Sequence, residues 1–163
     1  MKLWVGVDPG NTGAVAAIDP NSGVVFFDTP TVKVGTKNLP HIAAMAGIIR
    51  TLAAENGANR VHVVVESVHS MPKQGVASSF NFGKGFGAWL GILAALEIPY
   101  TLVDPRRWTG TLLRDMPKGD EAAIIRASEL YPAVAGELRT PRGRLLLGRA
   151  DALLLAHFGK ASG

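Results

Sequence analysis

With 163 residues, 47% of them hydrophobic and 18% charged, the chain can bury a core and is too apolar to stay disordered; it reads as one domain over residues 1–163. The absence of cysteine excludes a disulfide scaffold, a thiolate metal site and a cysteine nucleophile. A balance of 17 basic to 13 acidic residues, net +4, leans mildly toward polyanionic partners. No apolar run is long enough to span a membrane, and the start lacks the apolar core of a leader, so the expected location is the cytoplasm.

Leu3 to Asp8 is apolar and ends in Asp8-Pro9-Gly10, which reads as a buried strand closed by a turn. Thr12 to Ile18 and Val24 to Asp28 follow as strands joined by the hairpin turn Asp19-Pro20-Asn21-Ser22-Gly23, so the chain opens with an antiparallel meander. Thr29 to Asn38 reads as a loop. His41 to Glu55 has helix composition and stops at Asn56-Gly57, a C-terminal cap signal. Val61 to Glu66 is β-branched and suits a central parallel strand.

After a loop from Ser67 to Ala77, Ser78 to Glu97 reads as a long helix that carries Gly83, Gly85, Gly87 and Gly91. Each glycine costs about 1 kcal/mol in a helix interior, so four of them predict the close approach of another backbone. Pro99 to Asp104 is a further strand. Pro105 to Leu113, Asp120 to Tyr131 and Gly148 to Phe158 are the remaining helices. The order of elements predicts the α/β class, a mixed sheet with helices on its faces.

Chemistry concentrates in three carboxylates set in apolar surroundings. Asp8 and Glu66 close apolar strands at their carboxyl ends, where α/β sheets gather ligands. Asp151 is expected in the first turn of the last helix, flanked by Ala150 and Ala152-Leu153-Leu154. Oxygen-only ligands suit a hard cation such as magnesium or manganese, and a pair of such ions can activate water against a phosphodiester. Each acid also has an ordinary reading: Asp8 as the cap of its own turn, Glu66 as the partner of an arginine such as Arg107, Asp151 as a helix N-terminal acid. From Arg139 to Arg149 four arginines (Arg139, Arg142, Arg144, Arg149) occur without an acid, which makes either a track for phosphates or a solvated loop.

Several segments together resemble the RuvC family of Holliday-junction resolvases. Val5-Gly6-Val7-Asp8-Pro9-Gly10-Asn11-Thr12-Gly13 is similar to the family's opening, and Val63-Val64-Val65-Glu66-Ser67-Val68 to its central acidic strand. Gln74-Gly75-Val76-Ala77-Ser78-Ser79-Phe80-Asn81-Phe82-Gly83 resembles the phage-borne branch, and Ala150-Asp151-Ala152-Leu153-Leu154-Leu155-Ala156 the acidic C-terminal helix. The resemblance implies a ribonuclease H-like fold: a five-stranded mixed sheet, its first three strands antiparallel, flanked by helices. It implies a homodimer, in a bacterial or phage-infected cell, that cuts four-way DNA junctions with Mg2+ (Mn2+ able to substitute) and leaves 5′-phosphate and 3′-hydroxyl ends.

By the same resemblance Asp8, Glu66 and Asp151 are catalytic metal ligands, and the glycine-rich helix forms the dimer contact. His69 falls where relatives place an aromatic at the junction centre. Lys73, Lys84, Arg106, Arg107, Lys118 and the arginines from Arg139 to Arg149 are the candidates for holding DNA; Lys118 is nearest to a lysine that relatives carry before a late helix. One departure stands out: relatives carry an acid or histidine three or four residues before the last aspartate, where this chain has Gly148 and Leu147.

Three other readings compete. Asp8-Pro9-Gly10-Asn11-Thr12 also resembles the first phosphate loop of sugar kinases and actin-like ATPases, but those need two such domains and a second Asp-x-Gly loop, which this sequence lacks. The missing fourth acid suits a branched-DNA-binding protein with weak or no catalysis. A ribonuclease H-like nuclease acting on flaps, forks or RNA–DNA hybrids is the third.

Overall fold

A computed structural model describes residues 1–21, 23–67 and 75–163. Its main sheet has five strands: β1 (Leu3–Val7), β2 (Ala14–Asp19), β3 (Gly23–Asp28), β6 (Val61–Glu66) and β7 (Tyr100–Val103), in the order β3-β2-β1-β6-β7. β1 to β3 are antiparallel neighbours, with Val7 opposite Val15 and Ala14 opposite Asp28. β6 runs parallel to both β1 and β7, pairing Val7 with Val65 and Glu66 with Val103. The predicted mixed sheet with an antiparallel opening is therefore the observed one.

The segment read as a loop after Asp28 is instead partly a hairpin. β4 (Thr31–Val34) pairs with β5 (Lys37–Pro40) as a separate two-stranded sheet, and Gly35 at the turn has φ +61°. Its residues are mostly exposed and bury no apolar face, so no hydrophobic alternation marks it.

Helices cover both faces. Leu3, Val5 and Val7 of β1 alternate onto the face covered by α1 (Ile42–Asn56) and α2 (Val76–Ala95), where Met45, Ile49, Trp89 and Leu93 complete one core. Ala14, Ala16, Ile18 and Val64 face the other side, against α4 (Glu121–Leu130) and α5 (Leu147–Ser162), in a second core that includes Trp108 of α3 (Pro105–Leu112). The ends of α1 follow from its sequence. His41 Nδ1 accepts the Ala44 N–H at 3.1 Å, and Gly57 closes the helix at φ +84°, a conformation other residues rarely adopt.

One contact sets how deep α5 lies. A Cβ on Gly6 would stand 1.9 Å from the Ala152 carbonyl oxygen and 2.6 Å from the Ala156 nitrogen. Backbone thus meets backbone where α5 crosses β1, which only glycine allows. Among the described residues, no helix is long and apolar enough to cross a membrane.

Candidate functional site

Asp8 follows β1 directly, in a loop with little room. Its N–H donates to the Ala14 carbonyl at 3.0 Å, the Gly13 N–H donates to Gly10 at 2.9 Å, and a Cβ on Gly13 would lie 2.1 Å from the Asp8 carbonyl oxygen. The Gly10 backbone N–H acts on the Asp8 carboxyl in the lowering direction, against the larger effect of burial. α2 braces this loop: Phe82 lies against Gly10, and Gly85 is tight against the Pro9 carbonyl. Of the four helix glycines, Gly85 is thus the one that meets another part of the chain. Gly83, Gly87 and Gly91 have nothing within 4 Å of a notional Cβ.

Glu66 ends β6. Its Oε1 accepts the indole N–H of Trp108 at 2.9 Å, an interaction the sequence did not announce. The arginine suggested as its partner is placed elsewhere: the Arg107 guanidinium lies 5.7 Å from the Phe158 ring centroid. Asp151 lies in α5 between the fully buried Ala150 and Ala152. Since α5 begins at Leu147, Asp151 is its fifth residue and sits beyond the first turn, contrary to expectation. Its surroundings come from packing against the sheet rather than from the free N–H groups of the helix end.

The three carboxylates feel one another. Burial, then the charge of Glu66, pushes Asp8 up to about 6. Burial, then the charges of Asp8 and Glu66, pushes Asp151 up to about 8. Burial raises Glu66 as well, the Trp108 bond working against the rise. Among the described residues, the ion pairs involve Asp28, Asp115, Glu121 and Glu129, and none reaches these three acids. A desolvated set of like charges without a protein counter-charge favours a bound cation, and its all-oxygen donors fit magnesium or manganese. The fit is one of charge and donor type: among the described residues, no three acidic or histidine side chains cluster tightly enough to enclose an ion by themselves.

The three acids line two cavities that share a wall residue. Glu66 and Asp151 line one of about 280 Å³, together with Trp108 and Asp120. Asp8 lines the other, of about 390 Å³, with Thr12, Asp28 and Arg144. Leu147 lies on the wall of both. The departure at Gly148 is steric in origin, since a Cβ there would lie 2.5 Å from the Thr12 carbonyl oxygen and 2.8 Å from the Gly13 Cα. No acid fits at that position in this backbone.

The basic candidates divide. Arg144 lines the Asp8 cavity. Arg142 is exposed in an ordered turn, closed by the Gly143 N–H donating to Thr140 at 2.8 Å and the Thr140 N–H donating to Arg144 at 2.9 Å. Arg149 grips Asp28 through two bonds of 2.7 and 2.9 Å, and Arg139 approaches Glu121 at 3.7 Å. Lys84, Arg106, Arg107 and Lys118 are exposed, with Arg107 lining a separate cavity beside Trp4 and Phe158. His69 and Lys73 lie outside the described residues.

No protein-family model matches the chain, and no curated protein matches it by sequence. Solved structures do. T. thermophilus RuvC in complex with Holliday junction substrate superposes with a TM-score of 0.62 at 17% identity, covering 99% of this chain and 95% of that one. A second Thermus thermophilus RuvC structure gives 0.53 at 18% identity, covering 98% and 96%. With the sheet order, the flanking helices and near-complete mutual coverage in agreement, the chain has the RuvC fold, of the ribonuclease H-like kind.

Proposed function

We propose that this protein is a structure-selective endonuclease that resolves four-way DNA junctions by divalent-cation-dependent hydrolysis, leaving 5′-phosphate and 3′-hydroxyl ends. The observation that carries the reading is the electrostatic coupling of Asp8, Glu66 and Asp151 in a chain of RuvC-type fold, each raised by burial and none neutralised by a basic side chain among the described residues. A bound magnesium or manganese ion would supply Lewis-acid stabilisation of the scissile phosphate and activation of water. Glu66 and Asp151, which line one cavity, and Asp8, which lines the next, would hold it, with Asp120 a further carboxylate lining the first. Arg144, which lines the Asp8 cavity, would bind a phosphate, and the exposed Arg142 would extend the basic surface.

A homodimer belongs to the same proposal. Val76 and Phe80, 88% and 68% exposed, share a face of α2 with the open Gly83, Gly87 and Gly91. A second copy packed there two-fold would present two sites to the two-fold symmetry of a junction.

The test is a labelled four-way junction incubated with magnesium, then with manganese, with nicks mapped. Paired symmetric nicks are expected, lost in Asp8→Asn and Glu66→Gln while both variants still bind the junction; wild-type cutting by either variant sinks the assignment. The steric bar at Gly148 favours a second reading, a branched-DNA-binding protein without catalysis. Binding without nicks in either metal would select it.

A further inference from the structure

Trp108 owes its place to the chain's local rules. Asp104 caps α3, its Oδ1 accepting the Arg106 N–H at 2.8 Å, and Pro105 takes the first helical position. Because β7 runs parallel to β6 with Val103 opposite Glu66, α3 starts beside the carboxyl end of β6. The first turn of α3 then carries the indole to Glu66. The ring is 2% exposed and packed in the core formed with α4 and α5, so its direction is held by its neighbours.

An indole only donates, and its partner here is Glu66 Oε1 at 2.9 Å. Satisfying a buried N–H is the ordinary reason for such a bond. Here the acceptor is a carboxylate that closes β6, so the same bond also fixes the orientation of Glu66. Trp108 also lines the cavity that Glu66 shares with Asp151. We infer that Trp108 is a positioning residue: its N–H fixes one oxygen of Glu66 and leaves the other for the ligand shared with Asp151. The inference rests on the nuclease reading of that site.

Two measurements on the full chain test it. Trp108→Phe keeps the apolar ring and removes the donor. The magnesium concentration for half-maximal junction cutting should rise about tenfold, the lower end of the effect of losing a ligand's hydrogen-bond partner, with junction affinity in EDTA unchanged. A midpoint equal to that of the wild type overturns the inference. Independently of activity, the Trp108 indole N–H resonance should move in Glu66→Gln and on adding magnesium to the wild type; a signal that does neither also overturns it. If Trp108→Phe does not fold, Trp4→Phe and Trp89→Phe assign that resonance by elimination. A wild type that cuts no junction in either metal removes the nuclease reading, while the indole signal still decides whether Trp108 holds Glu66.

Discussion

Asp151, pushed up to about 8, is the most perturbed of the three acids. A carboxyl whose folded pKa lies above its unfolded value stabilises the fold at low pH, and that stability is lost as pH climbs through the folded value. His62 and His157 act oppositely: burial lowers both, so their stability is lost as pH falls below about 6.5. Above pH 7 the histidines are spent and Asp151 dominates. In EDTA, the melting temperature should therefore fall from pH 7 to pH 9, and Asp151→Asn should flatten the fall. Magnesium should raise the wild-type value more at pH 9 than at pH 7. A wild-type profile flat over that range, checked by thermal scans, would mean that neither burial nor the neighbouring acids raise Asp151. Gly148 makes a second claim at this scale. Gly148→Ala should cost roughly 1–3 kcal/mol in denaturant unfolding, the usual range for overpacking, because the obstruction is backbone. Gly148→Asp should cost at least as much rather than repair the ligand set.

At the scale of elements, the sequence was informative where one face or end of an element has a single job. β1 and β6 were legible because each is an apolar strand closed by an acid, and α1 because its termini carry recognisable caps. What escaped detection depends on contacts between distant stretches. Trp108 reaches Glu66 only because β7 lies next to β6, a neighbour relation that no local spacing encodes. The hairpin of β4 and β5 escaped because its exposed strands bury no stripe. The start of α5 was legible only to within a residue, which moved Asp151 out of the first turn. Of the α2 glycines, whose number implies a close neighbour, Gly85 meets the Pro9 carbonyl within the chain and the other three face open space. Gly87→Leu should therefore leave the monomer's stability within about 0.5 kcal/mol, as surface changes do, and shift sizing profiles at micromolar concentration from dimer to monomer. An unchanged profile would place any dimer contact elsewhere.

Seen whole, the molecule sets its acids at one end of the sheet, with the Arg142 and Arg144 turn alongside. Phosphate contacts by cations release counterions, so binding weakens with salt in proportion to their number. Arg142→Ala combined with Arg144→Ala should weaken junction binding and lower the slope of log affinity against log salt by about 2. A slope equal to the wild type would return this turn to the role of a solvated loop. Arg149, gripped by Asp28, should contribute little to that slope.

The bare peptide crossing at Gly6 also acts as a depth stop. Most helices rest on a cushion of side chains, and swapping those for larger or smaller ones shifts the helix. Here there is no cushion to retune, so the separation between the acid after the first strand and the acid on the last helix resists ordinary core substitution. Widening or narrowing the mouth between them would have to come from the connecting turns on either side, at residues 9–13 and 139–146.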